Sequence, residues 1–216
     1  EISRKLKKRI VTYAVGGNAM IYWGHKDATV DVDMVFTDAH EMRDFEEALK
    51  SSGYTGIDSS HVYGLKDNRP VLLKRTEQER FDLFLNKVIR FDFSDAMKKR
   101  AEKTFEYGEN LVIKVADYHD VFLMKCATDR GRDKADIKAI LENEDIDWNI
   151  IISEARNQIR LGNGGSVFDV LGECQKMKEE MGLKIPGRFF HEVWDMFSDK
   201  SITGKPLSGK TRKRRR

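Results

Sequence analysis

Asp31 and Asp33 stand at alternate positions of the run Thr29-Val30-Asp31-Val32-Asp33-Met34-Val35-Phe36. Residues i and i+2 of a strand face the same way, so both carboxylates project from one face and Val30, Val32 and Met34 from the other. Two adjacent carboxylates repel unless a cation sits between them, and Mg²⁺ is the usual occupant of such an oxygen site. Upstream, Gly16-Gly17-Asn18-Ala19-Met20 reads as a Gly-Gly turn entering a short apolar helix. Backbone N–H groups at such a turn can approach phosphate oxygens. Farther along, Asp82 interrupts the apolar strand Phe81-Asp82-Leu83-Phe84-Leu85. A carboxylate in that setting is costly unless paired or bound to metal. Either it joins Asp31 and Asp33 in a three-carboxylate site able to hold two Mg²⁺ ions, with Mn²⁺ as a substitute, or it pairs with Arg80 or Arg90, or it ends the strand in water. Phosphate grip plus clustered carboxylates points to metal-assisted chemistry on a nucleotide.

The elements that must position these residues follow from the apolar pattern. Residues 3–9 read as a basic helical lead-in, and Ile10 to Val15 as a short strand or helix end. Ala19 to Trp23 is a helix stopped by Gly24, and Val30 to Phe36 a strand. Asp38 caps a helix over Met42 to Lys50. Val62 to Leu65 and Val71 to Lys74 are strand-like, joined by a polar turn over 66–70, and Phe81 to Leu85 is a further strand. A helix starts over Phe91 to Lys99, followed by strands at Lys103 to Tyr107 and Leu111 to Val115. Beyond Asp117 the period is helical: Val121 to Ala127, Ala135 to Leu141, Ile146 to Leu161, Val167 to Met181 and Phe189 to Phe197, with a loop at Gly162-Asn163-Gly164-Gly165. The Gly162–Gly165 loop lacks a following lysine and the spacing of a phosphate-binding loop. The pattern predicts an α+β protein: a mixed sheet with flanking helices over 1–116, a helical domain over 117–200, and a basic, disordered tail over 201–216.

The composition, 216 residues with 40% hydrophobic and 35% charged, fits a soluble globular protein. No apolar run approaches the roughly 20 residues that span a bilayer. No signal peptide precedes Ile10, and the first residue is not Met, so a few residues are expected to be missing. Cys126 and Cys174 stand alone, which fits a reducing cytosol and argues against a disulfide framework or a zinc site. The five histidines show no metal-ligand spacing. Seven basic residues between Lys205 and Arg216 bring a body of net charge −4 to the chain's +3. Such a tail would add salt-dependent affinity for RNA or DNA, or else be a solvated terminus.

Taken in order, Gly16-Gly17, a short helix, Thr29-x-Asp31-x-Asp33 and a later apolar strand carrying Asp82 resemble the nucleotidyltransferase superfamily of polymerase β type. The details are most similar to its DUF6036 and AbiEii toxin-like group. That likeness extends to Asp120-Val121-Phe122-Leu123-Met124-Lys125-Cys126-Ala127 and to Arg130-Gly131-Arg132-Asp133-Lys134-Ala135-Asp136-Ile137, and covers roughly residues 10–141. It implies a nucleotidyltransferase-fold catalytic domain, completed by the helices, that transfers an NMP from an NTP and releases pyrophosphate. Asp31, Asp33 and Asp82 would be catalytic and hold the metal. Gly16, Gly17, Asn18, Thr29, Lys125 and Asp133 would line the nucleotide cleft. Arg132, Lys134 and Asp136 are further candidates there, set against a helix cap with surface ion pairs. Lys74 and Arg75 are weaker candidates for phosphate contact. The family's basic residue before the Thr29 segment is replaced by Asp27, with Lys26 one place earlier. Tyr22 and Trp23 read as core aromatics rather than base-stacking ones.

RNA such as a tRNA end is the favoured acceptor, on the basic tail and the Lys-rich start. A small molecule of aminoglycoside type is the alternative, as is a non-catalytic nucleotide- or nucleic-acid-binding protein on the same fold. Toxin-like relatives add a cognate antitoxin as an expected partner. The chain is expected to be cytoplasmic, with no membrane association.

Overall fold

The protein, seen in a computed structural model, is described over residues 1–64, 68–128 and 130–203, apart from the side chains of Arg132, Lys200 and Thr203. From residue 204 onward the basic tail lies outside the described residues, as do Leu65 and part of the turn expected over 66–70.

The architecture is α+β, built on a seven-stranded mixed sheet of order β3-β4-β5-β2-β1-β9-β8. Its strands are β1 (Ile10–Ala14), β2 (Asp31–Phe36), β3 (Thr55–Ile57), β4 (Val71–Thr76), β5 (Glu79–Leu85), β8 (Thr104–Tyr107) and β9 (Leu111–Val115). A separate hairpin pairs β6 (Lys87–Val88) with β7 (Phe91–Asp92). β2 runs parallel to β5 and β1 parallel to β9, and the other neighbours are antiparallel.

The pleat divides the apolar residues between two cores. Met34 and Phe36 of β2 and Leu83 of β5 join Phe45, Ala48 and Leu49 of α2 (Ala39–Lys50) in one cluster. Asp38 caps α2 as expected, accepting from the amides of His40 at 2.7 Å and Glu41 at 3.0 Å. On the opposite face, Tyr13, Val35 and Phe84 join the larger core with residues of α1 (Gly16–Tyr22), α5 (Tyr118–Cys126), α6 (Gly131–Asn143), α7 (Trp148–Arg160), α8 (Gly164–Met181) and α9 (Gly187–Ser198). Asp31 and Asp33 share the parity of Val35, and Asp82 that of Phe84, so the sheet turns its acids towards the helices. The expected boundary at 116/117 falls just before Asp117, the N-cap of α5, and the larger core continues across it from the sheet to Met196.

Several local expectations give way to side-chain chemistry. Residues 62–63 are helical rather than extended, in α3 (Ser60–Tyr63). Asp58 binds the Ser60 amide at 2.8 Å and its hydroxyl at 2.7 Å, which starts a helical turn that period-2 reading overlooks. Phe91 and Asp92 form a strand, and the helix α4 (Asp95–Arg100) begins only after Ser94, whose hydroxyl accepts from the Met97 amide at 3.1 Å. Residues 3–9 contain only a 3₁₀ turn over Ile2–Lys5. Gly164 and Gly165 belong to α8, not to a loop. A last short helix, α10 (Lys200–Thr203), follows α9.

A buried polar belt ties sheet and helices together. Arg100 of α4 binds Asp120 of α5 at 2.6 and 3.0 Å and Glu154 of α7 at 2.6 Å. Glu154 passes the chain to Gln158, which bonds the backbone of Asp92, and Asn163 closes it on the Asp92 carboxylate at 2.6 Å.

Candidate metal centre

The parallel pairing of β2 with β5 sets Asp33 opposite Asp82 and Asp31 opposite Arg80. Oxygens of Asp31, Asp33 and Asp82 come within 4.8 Å of one another, the arrangement expected if Asp82 joins the other two acids. The paired reading of Asp82 also holds. Arg80 Nε donates to Asp82 Oδ1 at 2.7 Å, while Arg80 Nη2 donates to Asp82 Oδ2 at 3.2 Å and to Asp31. Arg90 is elsewhere, on Asp169 and the Ala127 carbonyl. Asp82 is fully buried and also accepts the Tyr63 hydroxyl at 2.6 Å.

Of the three carboxylates, Asp31 and Asp82 therefore share one guanidinium. Burial, then the charges of Asp31 and Asp82, push the Asp33 carboxyl up to about 7, against Lys125 and Arg80. Burial raises Asp82 as well, although Arg80 and Tyr63 oppose it. The Tyr63 phenol is raised by burial and by the nearby carboxylates of Asp33 and Asp82. Clustered hard oxygens with excess negative charge fit a divalent cation such as Mg²⁺.

The glycines fit the same purpose. A Cβ on Gly16 would lie 2.2 Å from Asp33 Oδ2, and its φ of +54° already disfavours any side chain. A Cβ on Gly17 would meet the Thr29 hydroxyl oxygen at 2.4 Å. The first turn of α1 thus lies directly against the acids. Asn18, expected to line the nucleotide cleft, uses its Oδ1 to accept the Asp33 amide at 3.0 Å, which fixes α1 to β2. Thr29 donates to Asp31 Oδ1 at 3.0 Å and orients that carboxylate.

A cavity of about 60 Å³ adjoins the centre, with Gly16, Asp33, Tyr63, Lys125, Arg130 and Asp133 among its lining. Lys125 is half-buried and bonds Asp133 at 2.9 Å and Asp136 at 2.6 Å. Burial presses its pKa down, but Asp133 and Asp136 outweigh that and hold it above the ordinary lysine value. Asp133 and Asp136 are buried residues, not members of a surface ion-pair cluster. Lys26 turns to Asp136 at 3.3 Å. Of the remaining charges in that segment, Lys134 pairs with Glu180 at the surface, and the Arg132 side chain lies outside the described residues.

Lys74 and Arg75 are not brought to the site: they pair with Glu77 and Glu79 at the exposed end of β4. Trp23 packs against the core as expected, edge-on to Tyr118 with Nε1 donating to the Ala116 carbonyl at 2.9 Å, whereas Tyr22 is exposed rather than a core aromatic. Tyr63, expected on a strand, has no role legible in the sequence. Nothing in its segment signals the bond to Asp82, which depends on the α3 turn. The place of Arg80 was more accessible, since Arg80 and Asp82 are two residues apart on one strand and share a face. Arg130, over the Tyr63 ring at 5.3 Å, opens the 130–137 segment of the resemblance, but its contact with Tyr63 depends on the α3 turn.

No protein-family model and no curated protein matches the chain. Among solved structures, that of JHP933 from Helicobacter pylori is similar at 10% identity over 94% of each chain, with a TM-score of 0.38. So distant a likeness carries neither fold nor function. Among the described residues, no helix is long and apolar enough to cross a membrane.

Proposed function

We propose that this chain is a Mg²⁺-dependent nucleotidyltransferase with the polymerase β-type arrangement, moving an NMP from an NTP to an acceptor. The supporting observation is the convergence of Asp31, Asp33 and Asp82 from two neighbouring strands onto the glycine-lined start of α1. Asp31, Asp33 and Asp82 would hold the metal. When bound, Mg²⁺ supplies electrostatic neutralisation of the charge that builds on the α-phosphate and the leaving pyrophosphate.

The chain's own residues do the rest. Thr29 holds Asp31 in one rotamer, and Tyr63 and Arg80 hold Asp82. Asp82 takes the proton of the acceptor hydroxyl as general base. The N–H groups of Gly16 and Gly17 contact phosphate oxygens, at a turn that any Cβ would close. Lys125, positioned by Asp133 and Asp136, offers an ammonium to the triphosphate across the small cavity.

RNA such as a tRNA end remains the favoured acceptor, on the basic tail and Lys-rich start of the sequence. Within this reading the protein would act as the toxin of a toxin–antitoxin pair. The test is incubation with each NTP labelled at the α-phosphate, Mg²⁺ and total tRNA, beside an Asp31→Ala/Asp33→Ala control. Label moved to RNA by the wild type alone is the expected result. Label on protein would redirect the acceptor to a polypeptide, and label on an added aminoglycoside would redirect it to a small molecule. No transfer to any of these, with nucleotide still bound in calorimetry, would replace the enzyme with a binding protein.

A further inference from the structure

The open edge of the sheet carries an inference independent of the catalytic reading. β8 is the last strand of the sheet and pairs only with β9 among the described residues. The Val115 amide donates to the Lys103 carbonyl at 2.9 Å, so residues 103, 105 and 107 direct their backbone groups to β9. Thr104 and Glu106 therefore turn their N–H and C=O groups outward. All four residues of β8 are exposed, Phe105 by 41% and Tyr107 by 51%, and Phe105 packs on the exposed Tyr22 at 5.6 Å. Edge strands are usually blunted by charge, proline or a bulge. Here the strand holds no proline and one charge, Glu106, whose exposed carboxylate pairs with Arg9 at 2.5 Å. The opposite edge differs: β3 has three residues centred on Gly56, which offers no side chain to pair.

We infer that β8 pairs antiparallel with β8 of a second copy about a two-fold axis through Phe105, joining two seven-stranded sheets into one. Charge selects both the occupant and the register. With outward groups on residues 104 and 106, a two-fold ladder can centre on 104, 105 or 106. Centring on 106 sets Glu106 against Glu106 of the second copy. Centring on 104 sets Glu106 against the second copy's Glu102. Only the axis at 105 avoids opposed acids. It exchanges amide bonds between Thr104 and the second copy's Glu106 in both directions. It faces Phe105 with its own counterpart, and it sets Lys103 opposite the aromatic ring of the second copy's Tyr107. A strand that is complementary to itself in this way fits another copy of the same chain.

So short a ladder predicts a weak dimer. Sedimentation velocity of the full chain from micromolar to millimolar concentration tests it. A monomer–dimer equilibrium in the wild type, lost in Phe105→Lys with an unchanged circular dichroism spectrum, is expected. Phe105→Cys reads the register, since facing residues at a non-hydrogen-bonded site lie about 4.5 Å apart at Cα, within disulfide reach. Mild oxidation should trap Phe105→Cys as a covalent dimer and leave Tyr107→Cys monomeric on a non-reducing gel. The native thiols, Cys126 and Cys174, are buried and would not contribute. A wild type that stays monomeric throughout overturns the proposal. So does a dimer that survives Phe105→Lys, or one that oxidation traps through Tyr107→Cys rather than Phe105→Cys.

Discussion

At the scale of single residues, the centre shows charge arranged for something other than stability. Asp33 has acid neighbours on both strands and, among the described residues, accepts no side-chain bond, whereas Asp82 is held by Arg80 and Tyr63. Opposite outcomes follow for two substitutions in metal-free protein. Asp33→Asn removes a carboxylate that burial disfavours and should raise stability by about 1–3 kcal/mol. Arg80→Ala leaves Asp31 and Asp82 facing each other without their counter-ion and should cost about 3–5 kcal/mol. Adding Mg²⁺ should raise the melting temperature of the wild type and restore much of the loss in Arg80→Ala, while leaving Asp33→Asn nearly unmoved. Thermal melts of the three proteins with and without Mg²⁺ check this. If Mg²⁺ shifts Asp33→Asn as far as the wild type, Asp33 is no ligand. The acids themselves were legible because alternation on a strand and a carboxylate inside an apolar run are local signals. Their shared counter-ion was legible only as one option among several, because the choice between Arg80 and Arg90 depends on strand order.

At the scale of elements, long helices and strands followed from apolar periodicity, and the misreadings cluster where side chains bond their own backbone. Asp58 and Ser60 make a turn of helix out of a segment that alternates like a strand, and Ser94 delays α4 until after the Phe91–Asp92 strand. Such bonds depend on rotamers, which sequence spacing does not specify. The belt joining α4, α5 and α7 was likewise invisible, since Arg100, Asp120 and Glu154 are far apart in the chain. One guanidinium there faces two buried carboxylates. Burial is the chief cause that pushes the Asp120 carboxyl up to about 7; Glu154 and Asp117 add to it, and Arg100 opposes it. Below the ordinary carboxylate value of 3.8 both folded and unfolded chains keep the proton. Between 3.8 and about 7 the unfolded chain has lost it while the folded chain retains it, so stability falls as pH rises through this window. Asp120→Asn, which mimics the protonated acid and still accepts from Arg100, should remove that slope. The wild type should lose on the order of 2–3 kcal/mol relative to Asp120→Asn between pH 5 and 8. Urea melts of both proteins at the two pH values measure it, and parallel pH profiles would show that Asp120 ionises normally.

At the scale of the whole molecule, the change from mixed sheet to helices was clear in the sequence, but the closeness of their packing was not. The face of the sheet that carries Tyr13, Val35, Leu72 and Phe84 is covered by helices from beyond residue 116, and the same apolar cluster runs on to Val193 and Met196. Neither part buries that surface alone, and exposing it would cost about 25 cal/mol for each Å² of apolar area. The two parts should therefore unfold together. The cysteines provide an internal reporter. Cys126 on α5 and Cys174 on α8 are both buried, with Sγ atoms 4.0 Å apart, and burial pushes the Cys126 thiol well above its ordinary value. A protonated, inaccessible thiol is inert to disulfide reagents until its surroundings open. Thiol labelling across a urea titration should thus share its midpoint with the far-ultraviolet circular dichroism transition, and both thiols should react in one step. Labelling at a lower urea concentration, with the strand signal intact, would mean that the helices open on their own and separate from the sheet.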